Sequence, residues 1–282
     1  MMSYTRRNFL KLTAFFSSMP FLLNANEQKK EKSLRFIHIT DSHMDLQDSD
    51  SIEALQLAVK TINKDYKEID FVLFGGDNFN NNIPGDKDAK KFHEIISKLH
   101  CPAYCVAGNK EVSPKPSNDK QSFNDFFEMF ITPKKELFIS GKDWALQKNG
   151  YIILGLNSNI DHQNNGRYTK ETITFAKKML DQNKPTIILN HHPYLNYWKG
   201  TDKKDLHKYV LNNTKEVQQE LFSYKNLILT LSGHKHIDNI SHINNTLAIT
   251  TRGFIRALDM DQYPMRYIEL SNTKISQKLI YT

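Results

Sequence analysis

The sequence is short of the features that mark several large classes of protein. It has two cysteines in 282 residues, so no multi-bridge disulfide scaffold holds it together. Its long apolar run, Leu12 to Leu23, is too short to span a bilayer as a stable helix. No basic block interleaved with aromatic residues occurs, so nucleic-acid binding is not expected. Internal repeats and low-complexity linkers are missing too, and nothing in the composition suggests a fibrous or disordered chain. What is present, 39% hydrophobic residues over 282 positions, is enough for one large core. One α/β domain of roughly 250 residues is the expectation.

Residues 1–25 stand apart from that domain, which begins at about residue 26. Arg6 and Arg7, then Phe9-Leu10-Lys11, then the apolar run resemble a bacterial twin-arginine export signal. The resemblance implies recognition by the twin-arginine machinery, a periplasmic or extracytoplasmic location, and export of a chain already folded, with any metal loaded in the cytoplasm. Leu23-Asn24-Ala25 is a poor small-x-small cleavage site, so an uncleaved anchor stays open and no other membrane attachment is expected. The formal charge of +7 falls to +4 once Arg6, Arg7 and Lys11 are removed. Export makes Cys101 and Cys105 worth testing as a disulfide. Four residues along a strand separate them by about 13 Å, against the roughly 4.4–6.8 Å a disulfide needs. Two buried free thiols are expected.

Leu34 to Ile39 reads as a short buried strand that delivers Asp41 and His43, two residues apart, into the following loop. Residues i and i+2 point the same way, so a carboxylate and an imidazole converge there. Ile52, Leu55, Val59, Ile62 and Tyr66 recur at helical spacing, with a cap near Ser49 or Ser51. A strand over 69–74 runs into Gly75-Gly76-Asp77. A helix follows, with Phe92, Ile95, Ile96 and Leu99 on its inner face, and a strand over 103–107 ends in Gly108-Asn109-Lys110-Glu111. Three such units argue for an α/β sheet with one polar edge.

Beyond residue 112 the pattern loosens around an aromatic helix (Phe123, Phe126, Phe127, Phe130), read as core. A hairpin pairs 144–147 with 151–156, and a helix runs from about Thr169 to Asp181. A strand over 185–189 ends in Asn190-His191-His192-Pro193. One long polar helix carries Leu206, Val210, Val217 and Leu221. A strand over 227–231 ends in Gly233-His234-Lys235-His236, and four antiparallel strands close the chain.

Five strands therefore end in Asp41/His43, Asp77, Asn109, His191 and His234/His236. Seven such groups exceed the four ligands of a single tetrahedral ion, whereas two ions bridged by one carboxylate fit. The order D-x-H, GD-N, GN-K-E, HH, GH-x-H resembles the calcineurin-like metallophosphoesterases, and among them the cyclic-nucleotide phosphodiesterase type. The resemblance implies a four-layer α/β/β/α sandwich and two divalent ions, with Mn, Fe and Zn all suited to the ligands. Asp41, His43 and His236 would hold one ion, Asn109, His191 and His234 the other, and Asp77 would bridge. A hydroxide between the ions would then attack the phosphorus of a phosphate ester in line. Lys110, Asn109 and His234 are the candidate catalytic groups. His192 sits next to a ligand and is placed behind it, while remaining, with Asn159, a candidate substrate contact. The loops 157–168 and 194–204, carrying His162, Arg167, Tyr194, Tyr197 and Trp198, are further candidates.

One position departs from the family pattern: Lys110 stands where a histidine is usual. A lysine near neutrality serves better as a fixed cation beside developing phosphoryl charge than as a proton donor. Three readings follow: a phosphodiesterase, a phosphomonoesterase scavenging phosphate, and a metal-binding protein that has lost catalysis through Lys110. The full ligand set favours an enzyme.

Overall fold

Apolar residues that alternate faces, interrupted by strand-end polar clusters, fold here into two facing sheets; the computed structural model describes residues 33–112, 123–196, 201–255, 263–271 and 274–282. Lys32–Thr282 make one compact unit. Strand β1 (Leu34–Ile39) leads into helix α1 (Ser49–Asp65), then β2 (Phe71–Phe74), α2 (Lys87–Ile96) and β3 (Ala103–Cys105). β1, β2 and β3 are parallel neighbours. After helix α3 (Phe123–Phe130), strands β4 (Phe138–Ser140), β5 (Asp143–Lys148) and β6 (Tyr151–Gly155) form an antiparallel ladder. Helix α4 (Lys170–Leu180), β7 (Thr186–Leu189), a 3₁₀ turn (Lys203–Lys208), α5 (Thr214–Leu221) and β8 (Leu227–Ser232) follow. The chain closes with β9 (Asn239–Ile243), β10 (Thr246–Thr250), β11 (Pro264–Ser271) and β12 (Lys274–Tyr281).

The first sheet has the order β12-β11-β1-β2-β3 and the second β4-β5-β6-β7-β8-β10-β9. Period-two alternation fixes the layers. In β6, Ile153 joins the core shared by both sheets, with Phe36, Phe71, Ile187 and Leu229, whereas Ile152 and Leu154 join a second core under α4 and α5. A strand buried on both faces needs a helix layer outside it, which gives the expected α/β/β/α sandwich. Phe126 and Phe130 of the aromatic helix are core, packed with Phe79 and Phe92.

Several elements differ from the sequence expectation. Asp48, not Ser49 or Ser51, caps α1, its side chain accepting from Asp50 N. The long polar helix is two pieces, because Leu211 N bonds Pro193 O and Asn212 N bonds Gly166 O; those loops claim the backbone that would continue it. β10 runs parallel to β8 and antiparallel only to β9, since the β9–β10 hairpin inserts its second strand beside β8. Residues 106–107 leave β3 as an extended lead-in to Asn109. Both cysteines are free, Cys105 buried and Cys101 only half-buried. No helix among the described residues is long and apolar enough to cross a membrane. The paired arginines lie outside the described residues.

Candidate metal centre

The carboxyl ends of the two sheets open onto the same place. β1, β2 and β3 deliver Asp41, His43, Asp77 and Asn109; β7 and β8 deliver His191, His234 and His236. To aim inward so soon after a strand, Asp41, His43, Asp77, His234 and His236 adopt φ of 54, 43, 49, 68 and 55°. That left-handed region is costly for residues other than glycine, and its concentration here is strain stored at one site. The ligand atoms of Asp41, His43 and His236 lie within 4.8 Å of one another, as do those of Asp41, Asp77 and His191.

Hydrogen bonds on the far side of each ring decide what faces inward. His191 Nδ1 donates to the Gly75 carbonyl at 3.0 Å, and His234 Nε2 donates to the Lys208 carbonyl at 2.8 Å. His43 Nδ1 donates to Asn80 Oδ1 at 2.9 Å, and Asn80 in turn donates to Asp45 Oδ2 at 2.9 Å, which orients its amide. The inward nitrogens therefore present lone pairs. Yet His191 Nε2 lies 3.2 Å from His234 Nδ1 and 3.2 Å from Asn109 Oδ1. His43 Nε2 lies 3.1 Å from His236 Nε2, which is itself 3.1 Å from Asp41 Oδ1. Ring nitrogens this close need a proton or a cation between them. These separations suit neighbouring ligands on one ion, whose bonds run about 2.0–2.2 Å. Imidazole, carboxylate and amide donors fit a first-row divalent metal. Asp77 lies between the two clusters, Oδ1 3.5 Å from His191 Nε2 and Oδ2 3.9 Å from His43 Nε2.

The electrostatics agree. Burial lowers His43 and His234 to about 4, so both rings are neutral ligands at neutral pH. Burial also works against charge on His191, but Asp77, Asp41 and the Gly75 carbonyl outweigh it and raise the ring to about 9. The field that favours an imidazolium there favours a dication equally. Asp77 is held well below the usual carboxylate range: burial opposes this, but His191 and His43 outweigh it.

A cavity of about 600 Å³ opens over the cluster, lined by His43, Asp77, Asn109, Lys110, His234 and His236, with Gln163, Asn164, Asn165, Lys208 and Tyr209 around it. His192 and Asn159 do not line it. His192 is fully buried, with Nδ1 2.8 Å from Ser158 Oγ and Nε2 donating to the Asn164 carbonyl at 3.1 Å. Asn159 is also buried and donates to the Ala107 carbonyl. Tyr194 belongs to the outer core, its hydroxyl 2.6 Å from that of Tyr168. His162 and Arg167 are exposed and away from the cavity, and Tyr197 and Trp198 lie outside the described residues. Gln163, Asn164 and Asn165 belong to the loop 157–168 expected to reach the site, whereas Tyr209 carries no spacing signal in the sequence.

Glu111 also escaped notice as a site residue. Its fully buried carboxylate accepts from Gly108 N at 2.7 Å, Asp77 N at 3.1 Å, Asn78 N at 2.5 Å and Phe79 N at 3.4 Å, joining the loops after β2 and β3. Burial, then the like charge of Asp77, push it up to about 7 against those donors. Close packing tightens the joint, because a Cβ on Gly108 would fall on Asp77.

Three comparisons bear on this geometry. The family described as calcineurin-like phosphoesterase matches residues 34–238. A probable cyclic nucleotide phosphodiesterase of Psychrobacter arcticus is 23% identical over 227 residues, covering 76% of this chain and 78% of its own. Another from Coxiella burnetii is 24% identical over 161 residues, covering 56% and 57%. Among solved structures, a dimetal phosphatase from Danio rerio shares the fold with a TM-score of 0.62 at 11% identity, covering 88% of this chain and 98% of its own.

Glu111→Gln should cost about 2 kcal/mol of stability in urea denaturation, because the amide turns N–H groups toward N–H donors that need a charged acceptor. An unchanged midpoint would show that the carboxylate does not hold the two loops together.

Proposed function

The chain belongs to the calcineurin-like phosphoesterase family, and from that membership we propose a two-metal phosphodiesterase acting on small phosphate diesters, cyclic nucleotides included. The enzyme is a metal-dependent phosphoesterase; the choice of diesters rests on the printed names of the two bacterial relatives. The observation that carries the metal assignment is the convergence of His191, His234, His43 and His236 ring nitrogens on one another and on carboxylate and amide oxygens. Asp41, His43 and His236 would hold one ion, Asn109, His191 and His234 the other, and Asp77 would be shared. Two dications there would supply Lewis-acid activation of a phosphoryl oxygen and of water.

The chain's own groups do the rest. Asn80, Gly75 and Lys208 fix the orientations of His43, His191 and His234 from behind, and of these three rings His191, raised to about 9, is the one that would give up a proton to a metal. Lys110 bonds Asp77 Oδ1 through its backbone N at 2.7 Å and sends its side chain to the cavity wall, where no carboxylate among the described residues pairs with it. It acts as a fixed cation beside the phosphoryl group. Turnover of bis-p-nitrophenyl phosphate well above that of p-nitrophenyl phosphate is the expected result; the reverse ratio indicates a phosphomonoesterase, and no turnover with both ions bound indicates an inactive homologue.

The shared position of Asp77 makes its removal distinctive. Asp77→Ala should disturb both ions, and Asn109→Ala mainly one, as read by metal analysis after dialysis. Two ions retained in Asp77→Ala, or only one in the native protein at saturating metal, would overturn the assignment.

A fixed cation in place of a proton donor makes the rate depend steeply on leaving-group pKa. Aryl esters should be cleaved far better than alkyl ones. Lys110→His supplies a group with an ordinary pKa of about 6.5 and should flatten that dependence. Lys110→Ala should lose roughly 10²–10³ in rate on both classes. A plot of log kcat/KM against leaving-group pKa decides: equal slopes for native and Lys110→His, or an undiminished Lys110→Ala, leave Lys110 without a role.

Export through the twin-arginine pathway into the periplasm is part of the same proposal and rests on Arg6 and Arg7 ahead of the apolar run. Replacing both arginines by lysine should keep the protein in the cytoplasm. Normal periplasmic recovery of that variant would count against the pathway.

A further inference from the structure

The cavity over the metal centre is lined in part by the end of the 3₁₀ turn, where Tyr209 is 37% exposed, large for an aromatic beside a buried cluster. Its ring is anchored from behind. Lys235 Nζ lies 3.4 Å from the ring centroid, and Lys235 is itself buried and not part of the cavity wall. The preceding residue is tied to the metal cluster, because the Lys208 carbonyl accepts from His234 Nε2. Tyr209 therefore holds a set place relative to the phosphorus-binding centre, with a cation on one face and the cavity beside it. Gln163 and Asn165 line the same cavity, and their side-chain amides make no hydrogen bond to another described residue. Each offers a donor and an acceptor. Asn164 between them is already engaged, accepting from Asn109 Nδ2 at 3.3 Å and holding His192 through its carbonyl.

From this arrangement, and resting on the phosphodiesterase reading, we infer that Tyr209 is a stacking platform for the base of a nucleotide ester, with Gln163 and Asn165 reading the base edge. A pre-ordered aromatic ring gains stacking energy without first losing rotamer freedom. Nucleobases combine a flat face with alternating donors and acceptors along one edge, which is what an aromatic ring and two amides lining one cavity complement. A lipid tail would leave both amides unpaired, and a bare sugar phosphate would leave the ring uncovered. The cavity volume, about 600 Å³, lies in the range of small-ligand sites.

The test reads binding rather than turnover. Calorimetry on the metal-loaded full chain uses two phosphonates that no phosphoesterase cleaves, the methylene analogues of adenosine 5′-monophosphate and of ribose 5-phosphate, with inorganic phosphate as a probe of the metals. The native protein should prefer the adenosine compound about tenfold or more, in line with one base stacked on one ring. Tyr209→Leu should lose that preference while binding phosphate as before, and Tyr209→Phe should keep it. Equal affinities in the native protein, a preference that survives Tyr209→Leu, or a Tyr209→Leu protein that also loses phosphate would each overturn the platform. A native protein that shows the preference yet hydrolyses no diester leaves the platform standing and removes the phosphodiesterase reading instead.

Discussion

The structure depends on an electrostatic demand concentrated at one place: four imidazoles, two carboxylates and one amide converge within a few ångströms. His191 Nε2 at 3.2 Å from both His234 Nδ1 and Asn109 Oδ1 is the sharpest instance. Burial makes the demand severe, because water cannot screen it. The polar groups behind the rings (Gly75, Asn80 and Lys208) point the lone pairs inward rather than relieving them. Positive charge at the focus satisfies the arrangement, whether an imidazolium at His191 or a bound cation, and this one requirement explains the strained backbone, the buried second row of partners and the glycines packed against it.

The two-sheet architecture serves that focus. Two of the three candidate ligand groups draw on both sheets: Asp41 and His43 from the first combine with His236 from the second, and Asp41 and Asp77 from the first with His191 from the second, while His191, His192 and His234 all come from the second. A dication in either of the two mixed groups would cross-link the sheets at their carboxyl edges. The protein reinforces the same seam with its own bonds. His234 N donates to Asp41 Oδ2 at 2.9 Å, and Phe254 N donates to the Thr40 carbonyl at 2.9 Å. Beneath it, the buried Arg266 of β11 pairs with Asp238 and Gln277 and donates to Thr251 Oγ1, drawing the C-terminal hairpin into the support of the loop that carries His236.

Placement of each residue was decided by different physics, and so legible to different degrees. Strands and most helices follow from hydrophobic period, which is local. The break between the 3₁₀ turn and α5 was not readable, because Pro193 and Gly166, distant in sequence, take the hydrogen bonds a continuous helix would have used. The parallel placement of β10 depends on which neighbour has a free edge. His192 and Asn159 looked available for substrate from their position beside ligands, yet packing places both in the buried layer behind the site.

The sequence by itself determined the candidate ligand inventory, the order in which strands deliver it, and the family those motifs belong to, because metal chemistry needs specific side chains at strand ends and both are written locally. The tertiary structure alone decided the ring orientations, the joint that Glu111 makes between two loops, and the cavity wall built from Tyr209 and the Gln163–Asn165 run. Each of these depends on groups brought together from far apart in the chain. Glu111 reaches the backbone of Asp77 across 34 positions, and Lys208 reaches His234 across 26. No periodicity records such meetings, since they come into being only when two sheets close on each other and set which atoms share the space between them.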